Sequence, residues 1–220
     1  MGPRQTLYLG LSLAFRPPTP GHVEGGQDNE LLRMVAEAAA VLGGAALRER
    51  LDCVGDYLEC LEQRDVAEAL VELEAEYNRL FVGPMPPLAH PYESVYRSAE
   101  ALVMGDCALD VLRVYAQAGV VLSAGYKDLP DHVAVELEYM ALLCQRAEVA
   151  RAAGLATVVD ALRQAAWTFL EHHLRRWLPQ FCRRVLLGAT SPYYRQWALL
   201  ADLFTRAEVC RMRSEKEVRA

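Results

Sequence analysis

Hydrophobic residues recur at three- and four-residue steps along nearly the whole chain, which is the period of an amphipathic α-helix. The cleanest instance is DVAEALVELEAEYNRLF at 65–81. There Val66, Leu70, Leu73, Tyr77, Leu80 and Phe81 fall on one arc of a helical wheel. Asp65, Glu68, Glu72, Glu76 and Arg79 fall on the opposite arc. The stripe closes on a dense apolar patch, Tyr77-Leu80-Phe81, and Gly83-Pro84 stops the helix. The prolines that follow have fixed φ and lack N–H donors, so 82–93 reads as a stiff, extended connection ending at Tyr92 and Tyr96.

The same pattern predicts helices at 4–15, 29–42, 45–62, 94–118 and 127–154. Another begins near 156, with Pro179 expected to kink or restart it, and a last one covers 191–212. Pro and Gly make 16–27 a loop, and Asp28 or Asn29 can cap the helix after it. Asp128 reads as the N-cap of 127–154, with Pro130 in the first turn and Asp131 placed to offset exposed N–H groups. Val133, Leu137, Met140 and Cys144 make one stripe there, and Val135 and Leu142 a second. A helix apolar on two sides belongs in the centre of a fold.

Composition agrees with periodicity. The chain of 220 residues is 53% apolar, contains no isoleucine and has almost no period-two strand pattern. The expected fold is all-α: one domain over 1–220 with eight or nine helices and a charged C-terminal tail at 206–220. The net charge of −6 argues against generic nucleic-acid binding and suits a cationic partner. Cys53, Cys60, Cys107, Cys144, Cys182 and Cys210 form no CxxC, so reduced thiols are expected. The apolar run at 7–15 lacks the cleavage site of a signal peptide, and no run reaches the ~18 residues needed to span a bilayer. No stable membrane insertion is expected.

Two clusters carry candidate chemistry. Asp131-His132 has three open readings: a helix cap, a His–carboxylate pair for metal or proton transfer, and a carboxylate that receives an arginine bidentately. His132, Glu136, Tyr139 and Leu143 share a stripe, but no HxxxH or HExxH accompanies them. Tyr77, Leu80, Phe81, Tyr92 and Tyr96 form either core or one wall of an apolar peptide groove. Glu171-His172-His173 reads as a polar face, with Glu171 and Arg175 paired one turn apart. No phosphate-binding glycine loop, GxSxG or catalytic-cysteine signature is present, so no catalytic residue, metal site or enzyme activity is expected. The rival readings are a small helical nucleotide-binding enzyme and a metal protein using His132 and Glu136.

EYNRLFVGP (76–84), PYESVYRS (91–98), LPDHVAVELEYM (129–140) and HLRRWLPQF (173–181), in this order, resemble the TorD/DmsD/NarJ group of redox-enzyme maturation chaperones. The resemblance implies an all-helical cytoplasmic protein, monomeric or a domain-swapped dimer. Its partners would be an apo (molybdo)oxidoreductase and that enzyme's twin-arginine leader peptide, held until cofactor insertion and assembly. A variant of the same role is a NarJ-like assembly factor for a reductase that is not exported. For some members the group also implies weak guanine-nucleotide binding; no other cofactor is implied. Carried onto this chain, the peptide-binding residues are Tyr77, Leu80 and Phe81 together with Pro130, Asp131 and His132, with Glu136 or Glu138 as further acid. The physics is compatible. Asp131 would take guanidinium charge and the aromatic patch the apolar stretch behind it.

Overall fold

Helical periodicity is realised throughout. The structure, a computed structural model, describes residues 1–23, 30–62, 64–83, 86–98, 105–123, 125 and 128–219. Its helices are α1 (Pro3–Ala14), α2 (Glu30–Leu42), α3 (Gly44–Glu62), α4 (Val66–Tyr77), α5 (Glu93–Arg97) and α6 (Asp106–Gln117). They continue with α7 (Val133–Ala152), α8 (Ala156–Phe169), α9 (Arg175–Gly188) and α10 (Pro192–Arg219). A π-helical turn, Asn78–Val82, extends α4, and a second, Leu170–Leu174, joins α8 to α9 without a break. Counting α8 to α9 as one rod gives nine helices among the described residues, and no strand is described.

α1 and α7 are the paired axis of the molecule. Leu7, Tyr8, Leu11 and Phe15 on α1 and its C-cap are buried, as are Val133, Leu137, Met140 and Leu143 on α7. Ser12 Oγ donates to the Ala134 carbonyl at 2.7 Å and ties the two together inside the core. α1 also packs on α2, and a Cβ on Gly10 would lie only 2.5 Å from Val35 Cγ2, so this crossing is closed by glycine. α10 lies against α3 and α9, and α8 lies against α7. The α7–α8 connection turns at Gly154, where φ of +72° suits a residue without Cβ.

Several expected boundaries move. α7 starts at Val133, and its N-cap is His132, whose Nδ1 accepts the Ala134 N–H at 3.1 Å. The acid expected to cap this helix, Asp128, instead lies before it in the chain. The helix expected over 94–118 divides into the short α5 and into α6, capped at Gly105; residues 99–104 lie outside the described residues. The Asp28/Asn29 cap also lies outside them. Pro179 does not restart its helix: it sits inside α9, and the π turn lies before it. The charged stretch 206–219 is no separate tail but the last turns of α10.

The outer arc expected for α4 also needs correction at one residue. Glu76 is only 7% exposed. Its Oε1 accepts the N–H groups of Thr190 (2.6 Å) and Ser191 (3.0 Å), and its Oε2 accepts from Arg79 Nη2 at 2.6 Å. Burial would raise this carboxyl, but the hydrogen bonds from Ser191, Arg79 and Thr190 outweigh it and hold the pKa below the ordinary value. All six cysteines are free. Among the described residues, no helix is long and apolar enough to cross a membrane.

Candidate functional site

The segments singled out in the sequence converge. Residues around Tyr92 and His132 run antiparallel as an isolated bridge. Val133 N–H donates to the Pro91 carbonyl (2.8 Å), and Glu93 N–H donates to the Asp131 carbonyl (3.0 Å). This fastens the proline-rich connection to the start of α7.

Asp131 has no exposed surface. Its Oδ2 accepts the Ser94 N–H at 2.9 Å, so it caps α5, a helix distant in sequence, rather than its own. Burial raises its pKa, against the lowering effect of the Ser94 bonds, and among the described residues its Oδ1 has no partner. Glu136 is likewise fully buried. Its Oε2 accepts the indole N–H of Trp177 at 3.0 Å, and its Oε1 has no partner among the described residues. Burial first, then the neighbouring Glu93, push its pKa well up, which favours a neutral carboxyl.

Glu93, absent from the sequence-based candidates, joins these two. It has no exposed surface and is held by Arg97 Nη1 (2.6 Å) and His173 Nδ1 (2.8 Å). Arg97 also donates to the His172 carbonyl at 2.9 Å. The histidine of the EHH run that faces inward is therefore His173, while the expected Glu171–Arg175 pair forms on the surface at 2.7 Å. Glu93, Asp131 and Glu136 make a buried carboxylate group that ties α5, α7 and α9 together. Nothing in spacing reveals it, because Glu93 comes from a different segment of the chain than Asp131 and Glu136; only the clustering of the motif residues hinted that they act together.

The aromatic patch proves to be core. Tyr77 is 6%, Leu80 0% and Phe81 4% exposed. Phe81 stacks edge-on against Tyr77 (5.1 Å) and Tyr194 (5.4 Å) and lies 5.8 Å from Phe181. The partly exposed groove at these side chains is not present, because Phe15, Phe181 and Tyr194 close over them. Tyr96 stacks on Trp177 at 5.5 Å, and Pro130, buried, gives its carbonyl to Tyr115 Oη at 3.2 Å.

What reaches water is a neighbouring acid, Asp128. Its side chain is 37% exposed, its Oδ1 accepts from Tyr92 Oη at 2.7 Å, and its Oδ2 lies 3.8 Å from His132 Nε2. Its charge also acts on Tyr77, whose phenol is raised mainly by burial. Asp128 is thus where the 77–81 and 130–132 elements meet. His132 is buried, and desolvation lowers its pKa to about 4, with the Asp128 charge opposing and the Arg16 charge assisting.

Arg16 leads to a cleft. It pairs with Glu138, which is 52% exposed, and both line a cavity of about 520 Å³. Its other walls include Leu9 of α1, Val135, Ala141 and Leu142 of α7, and Val120–Leu122 after α6. Among the described residues no group of three or more His, Cys, Asp or Glu is arranged to hold a metal ion, so the His132/Glu136 ligand reading has no third ligand. Instead His132 Nδ1 is occupied by a backbone N–H and Glu136 by Trp177.

Comparison with known proteins gives a consistent group. The nitrate reductase delta subunit family matches residues 35–183. The chaperone protein TorD of Vibrio cholerae serotype O1 (strain M66-2) is 30% identical over 176 residues, 79% of this chain and 78% of that one. The selenate reductase assembly chaperone of Thauera selenatis is 39% identical over 88 residues, 40% of this chain and 44% of its own length. The chlorate reductase assembly chaperone of Ideonella dechloratans is 34% identical over 126 residues, 57% of this chain and 62% of that one. A crystal structure described as a redox enzyme maturation protein from Archaeoglobus fulgidus superposes with a TM-score of 0.52 at 22% identity, covering 91% of this chain and 93% of the other. That likeness shows the fold.

Proposed function

Since the chain belongs to the nitrate reductase delta subunit family, we propose that it is a cytoplasmic, system-specific chaperone for an oxidoreductase. It holds the apo form of a molybdoenzyme, and the twin-arginine leader of that enzyme, until cofactor insertion and assembly are complete. It works by reversible binding, without covalent chemistry and without a cofactor of its own. The assembly-chaperone names of its relatives support the role.

The observation that carries leader capture is the apolar cleft of about 520 Å³ with Glu138 at its side, together with the partly exposed Asp128 held 3.8 Å from His132 at the start of α7. Adjacent guanidinium groups followed by an apolar stretch need acid beside an apolar trough. Asp128 and Glu138 are the acids that reach water. Asp131, His132, Glu136, Pro130, Tyr77, Leu80, Phe81 and Tyr96 hold the frame, and Tyr92 orients Asp128. Titration of the chain by calorimetry with the leader peptide of its client reaction partner, the oxidoreductase, tests this. Binding heat is expected, and Asp128→Asn or Glu138→Gln should each weaken affinity about tenfold, or about 1.4 kcal/mol. Absence of heat and of any melting shift with wild type rejects leader capture.

The match to a nitrate reductase family keeps one second reading, an assembly factor for a reductase that stays inside the cell. In that case the client segment bound has no twin-arginine pair, and the two acid variants leave its affinity unchanged.

A further inference from the structure

Two helices of this acidic chain carry charge of one sign only. α4 and its N-cap Asp65 include Glu68, Glu72, Glu74 and Glu76 and no base, whereas α9 includes Arg175, Arg176, Arg183 and Arg184 and no acid. Glu76 is used internally, which leaves the other carboxylates outside. At about 100° per residue the exposed face of α4 centres on Val71, flanked by Glu68 and Glu74. Val71 is 64% exposed. The exposed face of α9 carries Arg176, Gln180, Arg183 and Leu187 along its length, and Leu187, 78% exposed, has Arg183 and Arg184 one turn before it. Each face therefore sets an aliphatic side chain beside charges of one sign, and the two signs are opposite. Among the described residues no carboxylate pairs with Arg176, Arg183 or Arg184.

The two helices also end at one corner. Arg79, just past α4, donates through Nη2 to the carbonyl of Gly188, the last residue of α9, at 2.7 Å. Val82 (56% exposed) and Leu88 (45% exposed) add apolar surface there. In a closed twofold contact patch i meets patch j and j meets i, the pairing that two complementary faces of one chain allow.

We propose that these faces bind a second copy of this chain, with α4 of each protomer laid on α9 of the other. Val71 seats beside Leu187 of the partner subunit, and carboxylates face guanidinium groups in both halves of the contact. An anionic lipid surface is a poorer fit to α9, since its exposed face has no aromatic residue to sit at a membrane interface.

Sedimentation equilibrium over a concentration series tests the proposal. A monomer–dimer equilibrium is expected at low salt, weakened about tenfold at high salt, because exposed pairs are screened. Arg183→Glu/Arg184→Glu abolishes the dimer, and so does Glu68→Arg/Glu74→Arg. Mixing those two variants restores it, since both halves of the contact become complementary again. That recovery also shows that each variant is folded. A chain monomeric at every concentration, a dimer indifferent to salt, variants that still dimerise, or a mixture that stays monomeric each overturns it. The readout is independent of leader binding.

Discussion

Glu136 and His132 lie one helical turn apart, are both buried, and respond to pH in opposite senses. The folded pKa of Glu136 is raised by burial and by Glu93, so the native state holds a proton that the unfolded chain releases above its ordinary pKa. Its stabilising contribution is complete below pH ~4.5 and is lost as pH rises towards the folded value. His132 is depressed to about 4, so the native state keeps it neutral while the unfolded chain takes up a proton. Its contribution is present above pH ~6.5 and is lost as pH falls towards about 4. Above pH ~6.5 the His132 slope is gone while the raised Glu136 carboxyl still favours the protonated native state, and towards pH ~9 the thiols of Cys107, Cys144 and Cys182, raised by burial as well, add to it. Melting temperature should therefore decline in wild type as pH rises above ~6.5, before the thiols titrate. Glu136→Gln keeps the acceptor for Trp177 and should flatten that decline. An unchanged slope in the variant would show that Glu136 carries no buried proton.

Single residues also decide where elements end, and here the acids act at a distance. Asp131 caps α5 and Glu76 caps the start of α10, each across more than thirty residues of chain. Ser191 completes the second cap locally by accepting the Tyr193 N–H at 3.2 Å. Glu76→Ala removes the acceptor shared by the Thr190 and Ser191 N–H groups at this partly buried junction and takes the carboxylate partner from Arg79. The expected cost is about 1–3 kcal/mol. Urea denaturation measures it, and a loss below about 0.5 kcal/mol would mean that water replaces the carboxylate fully. The π turns at Asn78–Val82 and Leu170–Leu174 serve the same junctions, since they turn Leu80 and Phe81, and Leu174 and His173, into the core. A wheel drawn at 100° per residue could not show them, because it assumes the α period throughout, whereas the extra residue of a π turn shifts the phase by about 100°. Pro179, by contrast, looked like a break but sits inside α9, a few residues after the π turn at Leu170–Leu174.

For the whole molecule, the consequence is a rigid centre, α1 and α7, with chemistry at its edge. A leader bound only by the native state stabilises it by mass action, by about 2.7 kcal/mol at one hundred times the dissociation constant. A melting-temperature rise that tracks leader concentration logarithmically is expected, and a rise that saturates with no such dependence would point to a nonspecific effect. The cleft that would hold the peptide takes its walls from α1, α7 and the segment after α6. What the sequence by itself determined is the all-helical class, the central place of α7, the importance of 77–81, 91–98 and 129–140, and the absence of a membrane-spanning pattern. The helical class, the place of α7 and the missing membrane-spanning pattern follow from local periodicity or composition, which survive any arrangement of the helices, whereas the weight put on 91–98 and 129–140 is what the family resemblance implies. Only the tertiary structure decided which side of each motif faces water. Tyr77, Leu80 and Phe81 are apolar in any context, but Phe15, Phe181 and Tyr194 had to come together to bury them. Asp131 and Glu136 look like surface acids in the sequence, and they are buried because Ser94 and Trp177, far away in the chain, supply the hydrogen bonds that make their burial tolerable.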